Sequence, residues 1–163
     1  PDTTMNEIAH ATVCFSRAWR EALYGVSAYW VLPDQVKKSA PSGEFLPKGS
    51  FTIEGQRNFI KSETLKLAVG IIQLEDNDHV LTCGPPEAIK KNSICYAIIE
   101  PNGLEMAECA KKIRLEFLKI FEDITRKINI DEFVRALPAG KSQIKEISLG
   151  DLEKEKFIDN ELD

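Results

Sequence analysis

The chain has 163 residues, of which 43% are apolar and 29% are charged. A chain of this length forms one domain, or one and a half, and can bury a full hydrophobic core. The composition excludes disordered, collagen-like and membrane-spanning classes, because the longest apolar run is far too short to cross a bilayer. Four cysteines without a C-x-x-C pair, and no signal peptide in residues 1–12, favour a reduced, cytoplasmic protein.

The net charge is −5, but the charge is unevenly distributed. Residues 16–61 contain seven basic and four acidic side chains, whereas residues 67–163 contain thirteen basic and nineteen acidic ones. An acidic chain can therefore still bind nucleic acid, and the first third of the sequence is where such a partner would bind.

The first predicted element is an amphipathic helix that opens with a capping box formed by Thr4 and Glu7. Its apolar stripe follows the helical period and consists of Ile8, Thr12, Phe15 and Trp19. Arg17 lies opposite this stripe and is expected to face solvent. Gly25 is the predicted stop signal.

Three strand-like runs follow, at residues 28–32, 50–54 and 65–73. Between the first two lies a long loop, residues 35–49, which contains two prolines, two glycines and three lysines. Loops of this length are usually functional or disordered. Because Tyr29 and Trp30 alternate on the first strand, one of them faces outward, where it can stack a nucleic-acid base or cover a neighbouring helix.

The second half alternates strands and helices. Strands are predicted at 80–83, 94–100 and 143–147, and helices at 86–92, from Asn102 through Ile128, and at 131–137. The β-α-β-α-β order places helices against a sheet, so the predicted class is α+β with a mixed or antiparallel sheet. An acidic tail, residues 151–163, is expected to fray.

Three constellations resemble catalytic or metal sites, and each has a simpler interpretation. Gly140-Lys141-Ser142 resembles the end of a phosphate-binding loop, but position 135 is arginine where that loop needs glycine. His10 and Cys14 share a helix face without a third, orienting residue, which favours a buried pair. A metal site would have to combine His79, Cys83, Cys95 and Cys109 at spacings that match no familiar zinc pattern. We therefore predict no enzyme, no cofactor and no metal.

Two segments carry a resemblance to a known family: CFSRAW at Cys14–Trp19, and AYWVLPDQVKKSAPSGEFLPKGSFTIEGQRNF at Ala28–Phe59. They closely resemble the RNA-recognition domain of the NFACT family, which works in ribosome-associated quality control, and the resemblance covers roughly residues 1–73. LTCGPPEAIKKN, YAIIEPNG and RALPAGKSQI, between Val80 and Ile147, look like the carboxyl-terminal continuation of archaeal-type members. Three segments are therefore predicted: residues 1–75 as the second half of that domain, 76–150 as an extension packed with it, and 151–163 as a tail.

The resemblance implies that full-length members bind the large ribosomal subunit carrying stalled peptidyl-tRNA, and that many recruit tRNA to extend the stalled chain. The chain begins inside the RNA-recognition domain and lacks the other family domains, so we expect a fragment. Strands left unpaired by the missing half-domain are expected to make it dimerise, exchange elements or associate with that segment as a separate chain.

The implied partners are ribosomal RNA or tRNA, the large ribosomal subunit and the remainder of the NFACT protein, with no membrane. Glu54 departs from the basic or apolar residue that family members often carry, which argues against a continuous positive strip beside it. The RNA-binding residues carried over from the resemblance are Arg17, Gln35, Lys37, Lys38, Ser42, Lys48, Ser50, Arg57 and Asn58. Two functions remain open: a non-catalytic RNA-binding module, or a protein-interaction domain that holds an NFACT protein on the ribosome without touching RNA.

Overall fold

The computed structural model describes residues 2–161 and has an α+β fold, as the sequence predicts. Its strands form one four-stranded and two two-stranded sheets, all paired antiparallel. The helices are α1 (Asp2–Cys14), α2 (Arg17–Glu21), α3 (Pro86–Asn92), α4 (Met106–Ile120), α5 (Glu122–Arg126), α6 (Ile130–Ala136) and α7 (Asp151–Glu161). The strands are β1 (Val26–Trp30), β2 (Val36–Lys37), β3 (Thr52–Ile53), β4 (Asn58–Ser62), β5 (Leu67–Gln73), β6 (His79–Gly84), β7 (Ser93–Leu104) and β8 (Ser142–Leu149). Among these residues no helix has the length and apolar character needed to cross a membrane.

The four-stranded sheet, in the order β6-β5-β7-β8, carries the core on both faces. Successive side chains of a strand point to opposite faces, so Leu67, Val69 and Ile71 join the larger cluster with α4 and α6. Ala68 packs on the other side with Ile89 of α3. Burial on both faces explains why β5 is apolar at nearly every position.

The first helix is shorter than predicted because Ser16 divides it. The Ser16 hydroxyl donates to the Val13 carbonyl at 2.7 Å and accepts from the Ala18 amide at 3.1 Å, so it ends α1 and caps α2. α2 ends at Ala22 in the left-handed region (φ 50°), three residues before the predicted stop at Gly25. The predicted capping box at Thr4 was also wrong as a helix start, since α1 already includes Asp2.

The predicted apolar stripe of this helix was wrong in three of its four positions. Ile8 is 57% exposed and Phe15 is 48% exposed, and Thr12 is also exposed. The buried face consists instead of Ala9, Val13, Cys14, Ala18 and Trp19. The stripe was predicted from the larger apolar side chains, whereas α1 packs its smaller ones against the core.

The segment between β1 and β5 differs most from its prediction. β1 pairs not with the next predicted strand but with β4, a strand that the sequence analysis missed. The predicted strand 50–54 shrinks to β3, which pairs with β2 at the start of the predicted loop. The two-stranded β1–β4 sheet packs one face on α1.

Two further predictions in the second half were wrong. The long helix expected to run to Ile128 breaks at Phe121, whose φ of −134° is not helical, and it starts at Met106 without a cap from Asn102. The tail expected to fray forms α7, which packs against β7 and α3. Gly150 permits this packing, because a Cβ there would lie 1.8 Å from the Ser93 carbonyl oxygen.

The part of the chain before residue 75 and the part after it share one core. β5 pairs with β6 and β7, and the buried Trp19 indole donates from Nε1 to Ser142 Oγ of β8 at 3.1 Å. The division into segments 1–75, 76–150 and 151–163 stays a prediction. The β1–β4 sheet has two strands, so both its outer edges are unpaired within residues 2–161. Association through them stays a prediction as well.

Candidate nucleic-acid interface

The residues predicted to bind RNA fall on a few neighbouring stretches of chain. Arg17 opens α2, Gln35 ends a short 3-10 turn at Pro33–Gln35, and Lys37 lies in β2. Asn58 opens β4 and Arg57 directly precedes it. The remaining predicted residues, Lys38, Ser42, Lys48 and Ser50, lie in the irregular connection between β2 and β3 and are exposed.

Three of these residues surround one shallow pocket. Lys38, Lys48 and Ser50 line a depression of about 350 Å³, together with Pro47 and Phe51. Two lysine ammonium groups and a hydroxyl at one depression can neutralise and hydrogen-bond a phosphate. This pocket is therefore the most compact grouping of the predicted RNA-binding side chains.

The Gln35 amide holds the ends of this connection in place. Its Oε1 accepts from the Leu32 amide at 2.8 Å, and its Nε2 donates to the carbonyls of Glu54 and Gln56, each at 2.8 Å. The Glu54 amide in turn donates to the Gln35 carbonyl at 2.9 Å. Because its amide is fully used inside the chain, Gln35 positions the loop rather than offering a free group to a ligand.

Arg57 lies against an aromatic pair. Its guanidinium carbon is 5.3 Å from the centre of the Tyr29 ring, which is a cation–π contact, and the Tyr29 ring meets Phe59 edge-on at 5.5 Å. The neighbouring Asn58 donates from Nδ2 to the Trp30 carbonyl at 3.4 Å, which fastens β4 to β1. The structure thus brings Arg57 onto an exposed sheet face.

The cations of this region are free to bind an anion. Within residues 2–161, no ion pair involves Arg17, Lys37, Lys38, Lys48 or Arg57. Elsewhere several basic side chains are neutralised by a neighbour, as Lys141 is by Glu105 at 3.4 Å. Of the seven basic side chains in residues 16–61, these five therefore keep their charge unpaired, whereas Arg20 pairs with Glu21 and Lys61 with Glu63.

Sequence reasoning missed Tyr29 and Phe59 as a pair. The alternation in β1 left Tyr29 and Trp30 as equal candidates for the outward position, and β4 was not recognised, so Phe59 was not placed opposite either. The sequence of Asn58–Ser62 carries only a weak strand signal, because its two apolar residues, Phe59 and Ile60, are adjacent and do not alternate with polar ones.

The His10–Cys14 pair is structural in this fold. The two ring nitrogens of His10 lie 2.8 Å from Ser62 Oγ and 2.6 Å from the Lys66 carbonyl, which ties α1 to the β4–β5 connection. Burial raises the pKa of the Cys14 thiol to about 11. The thiol is thus overwhelmingly protonated at neutral pH, which makes it a poor nucleophile.

The other cysteines lie in the core or at its edge. Burial raises the pKa of Cys83 and of Cys95 to about 12, and that of Cys109 to about 11. In the described part of the chain, no three His, Cys, Asp or Glu side chains are placed to hold a metal ion. These cysteines behave as small apolar residues.

The phosphate-loop-like segment is a turn packed against α2. A Cβ at Gly140 would lie 2.7 Å from the Arg20 Cα, and Gly140 has φ +116°, so glycine is required there for close packing. The Lys141 side chain pairs with Glu105, and its carbonyl accepts from the Asn102 amide. These contacts explain the Gly-Lys-Ser sequence without a nucleotide.

Comparison with known proteins identifies the first third of the chain. Residues 1–55 match the family model described as "NFACT protein RNA binding domain". This region contains most of the predicted interface, up to Ser50, while the predicted residues Arg57 and Asn58 lie just beyond it. The match is shorter than the 1–73 that the sequence resemblance suggested. No solved structure matches the chain.

Several curated proteins are similar over longer stretches. The "Archaeal Rqc2 homolog aRqcH" of Methanocaldococcus jannaschii is 34% identical over 143 residues, covering 88% of this chain and 20% of that protein. The "Ribosome quality control complex subunit NEMF homolog" of Drosophila melanogaster is 33% identical over 133 residues, covering 81% of this chain and 12% of that protein. The human "Ribosome quality control complex subunit NEMF" is 39% identical over 72 residues, covering 44% of this chain and 7% of that protein.

The chain thus spans about a fifth, or less, of the length of these relatives. Alignments of 143 and 133 residues extend well past residue 73, so the similarity continues into the second half in both an archaeal and an insect protein. Together with the RNA-binding domain model over residues 1–55, they establish the family: the chain belongs to the NFACT family.

Proposed function

We propose that the chain is a non-catalytic RNA-binding module of a ribosome quality control factor, which contacts ribosomal RNA or tRNA on stalled large subunits. The observation that carries the proposal is a set of cations without ion-pair partners, within residues 2–161, on the connection from Lys37 to Arg57: Lys37 is half-buried, and Lys38, Lys48 and Arg57 are exposed. The description of the matching family model and the names of the relatives support it.

The physical basis of the proposal is neutralisation of phosphates. If about three to five of the cations Arg17, Lys37, Lys38, Lys48 and Arg57 met a phosphate, about 3–5 counterions would be released, and the logarithm of affinity would fall with the logarithm of salt concentration with a slope of roughly −2 to −4. Such contacts set orientation and give little sequence discrimination. Folded RNA, which presents closely spaced phosphates, is therefore the expected ligand.

The first prediction concerns Lys38 and Lys48, which line the same pocket. Lys38→Glu/Lys48→Glu should weaken binding of a structured RNA roughly tenfold at low salt and reduce the salt slope by about 1–2, because two phosphate contacts are lost. The measurement is a fluorescence-anisotropy titration of a labelled tRNA or ribosomal stem-loop at three salt concentrations.

The matched control is Lys111→Glu/Lys112→Glu. It changes the net charge by the same amount and also replaces two exposed lysines, but on α4, outside the proposed interface. We expect this control to lower affinity much less. Equal losses in both variants would contradict a defined site, since they would indicate diffuse attraction, and absence of salt-dependent binding by the wild type would contradict the proposed function.

A second function is favoured by one observation, the outward apolar row along α1 and the residue that directly follows it. Ile8 and Phe15 are half-exposed or more and, with Ala11 and Pro85, line a pocket of about 390 Å³. Exposed apolar side chains in a row are typical of a protein-docking surface. On this alternative the chain would hold the remainder of an NFACT protein on the ribosome, and the RNA titration would show no salt-dependent affinity.

A further inference from the structure

The β1–β4 sheet presents one face to the protein and the other to solvent. In the antiparallel register Tyr29 lies opposite Phe59, while Ala28 lies opposite Ile60 on the alternate face. Ala28 and Ile60 line a small pocket with Ile8 and Thr12 of α1, so that face is turned toward the helix. Tyr29 and Phe59 therefore share the other face of the strand pair, where both side chains are exposed.

Both rings of this aromatic pair are open to solvent. Tyr29 is 46% exposed and Phe59 is 65% exposed. Burial of an aromatic side chain in a core or an interface contributes substantially to the free energy of folding or binding. Two neighbouring exposed rings on one strand pair therefore indicate a surface that binds a ligand.

The face is also cationic, which decides the chemistry of the ligand. Arg57 sits over the Tyr29 ring at 5.3 Å, and Lys61 follows Phe59 on the same side of β4. Lys61 is paired with Glu63 at 3.0 Å, whereas Arg57 has no ion-pair partner within residues 2–161. A purely apolar protein partner would leave the Arg57 charge buried and unpaired, which is costly, whereas a nucleotide supplies both a flat apolar base and a phosphate.

The geometry assigns different tasks to the two rings. Arg57 already lies over Tyr29, so the Tyr29 ring holds the guanidinium in place by its π-face. Phe59, which meets Tyr29 edge-on and is the more exposed ring, keeps its own face available. A base can stack on Phe59 while the Arg57 guanidinium pairs with the adjoining phosphate.

We propose that the Tyr29–Phe59 face of the β1–β4 sheet binds an unpaired nucleotide of RNA, with Phe59 as the stacking platform and Arg57 on the phosphate. This inference rests on the proposed RNA-binding function and names the feature of the RNA that is recognised. It adds a single-stranded element to the phosphate contacts of the Lys38–Lys48 pocket, so that a folded RNA with a loop or bulge would satisfy both.

The test compares two RNAs with the same stem: a fully paired duplex, and a stem-loop whose loop contains 2-aminopurine, a fluorescent base that is quenched by stacking. We expect the wild type to bind the stem-loop roughly fivefold to a hundredfold more tightly than the duplex, as removal of one base–aromatic stack usually costs. Phe59→Leu should abolish this preference and the quenching, but should leave duplex binding and its salt slope unchanged.

Two controls keep the result specific. Phe59→Tyr retains a flat ring and should retain the preference, while Phe15→Leu makes the same chemical change at a half-exposed position between α1 and α2 and should change nothing. Circular dichroism verifies folding of each variant. The inference is overturned if Phe59→Leu keeps both preference and quenching, or if Phe15→Leu loses them equally.

The outcomes separate this inference from the proposed function. Salt-dependent binding of both RNAs without any preference for the unpaired loop would overturn the stacking platform and leave the RNA-binding module standing. Failure of the wild type to bind either RNA would contradict both the stacking platform and the RNA-binding function. The aromatic face would then be assigned to a protein partner.

Discussion

At the scale of single residues, Gln35 shows how a residue predicted to bind RNA can instead hold the loop in position. The family resemblance places it among the RNA contacts, but its amide is bonded to Leu32, Glu54 and Gln56. The prediction from residue type and motif concerns the region, whereas the role of this side chain depends on partners about twenty residues away. A sequence pattern alone does not contain those pairings.

Gln35→Ala should lower the free energy of unfolding by about 1–2 kcal/mol, because three partly solvated hydrogen bonds are lost. It should also speed amide hydrogen exchange at Leu32, whose amide donates to the Gln35 side chain, more than at Glu54, whose amide donates to the Gln35 main-chain carbonyl that alanine retains. The measurements are urea unfolding and exchange followed by NMR.

Gln35→Glu is the matched control, since it keeps the acceptor but turns a carboxylate oxygen toward the carbonyls of Glu54 and Gln56. It should destabilise the protein at least as much as alanine does. Unchanged stability and exchange in Gln35→Ala would refute the positioning role.

At the scale of elements, the predictions that succeeded were those with strong local signals. The apolar run of β5 and the proline at the first position of α3 specify their elements without help from the rest of the chain. Three features failed for a shared reason: the break at Ser16, the break at Phe121 and the β1–β4 pairing are set by tertiary contacts or by a single cap. Periodicity does not report such local exceptions.

The face of α1 that meets the core is the element-scale prediction that stability measurements can settle. Ile8→Ala should change the free energy of unfolding by less than about 0.5 kcal/mol, because Ile8 is mostly exposed and alanine has the higher helix propensity. Val13→Ala, in the same helix but only 3% exposed, should cost about 2 kcal/mol. The reverse order would show that the stripe Ile8–Thr12–Phe15 faces the core after all.

At the scale of the whole molecule, the sequence already predicts which segment is positively charged. The structure adds that five cations of that segment have no ion-pair partner within residues 2–161. The sequence does not predict which contacts pack the basic segment against the rest of the chain. Trp19 reaches Ser142 across 123 positions of sequence, and His10 bonds to Ser62 and Lys66. These contacts join α1, α2 and β4 to the four-stranded sheet, so the candidate interface stands on a packed scaffold.

The measurement that tests the central claim most directly is an amide NMR titration of the labelled protein with a stem-loop RNA, repeated at high salt. We expect the largest chemical-shift changes in residues 35–61, reversed by salt, with little change in residues 106–136, which lie outside the candidate interface. The largest changes in residues 106–136, or equal changes along the whole chain, would contradict RNA binding through the segment from Gln35 to Lys61.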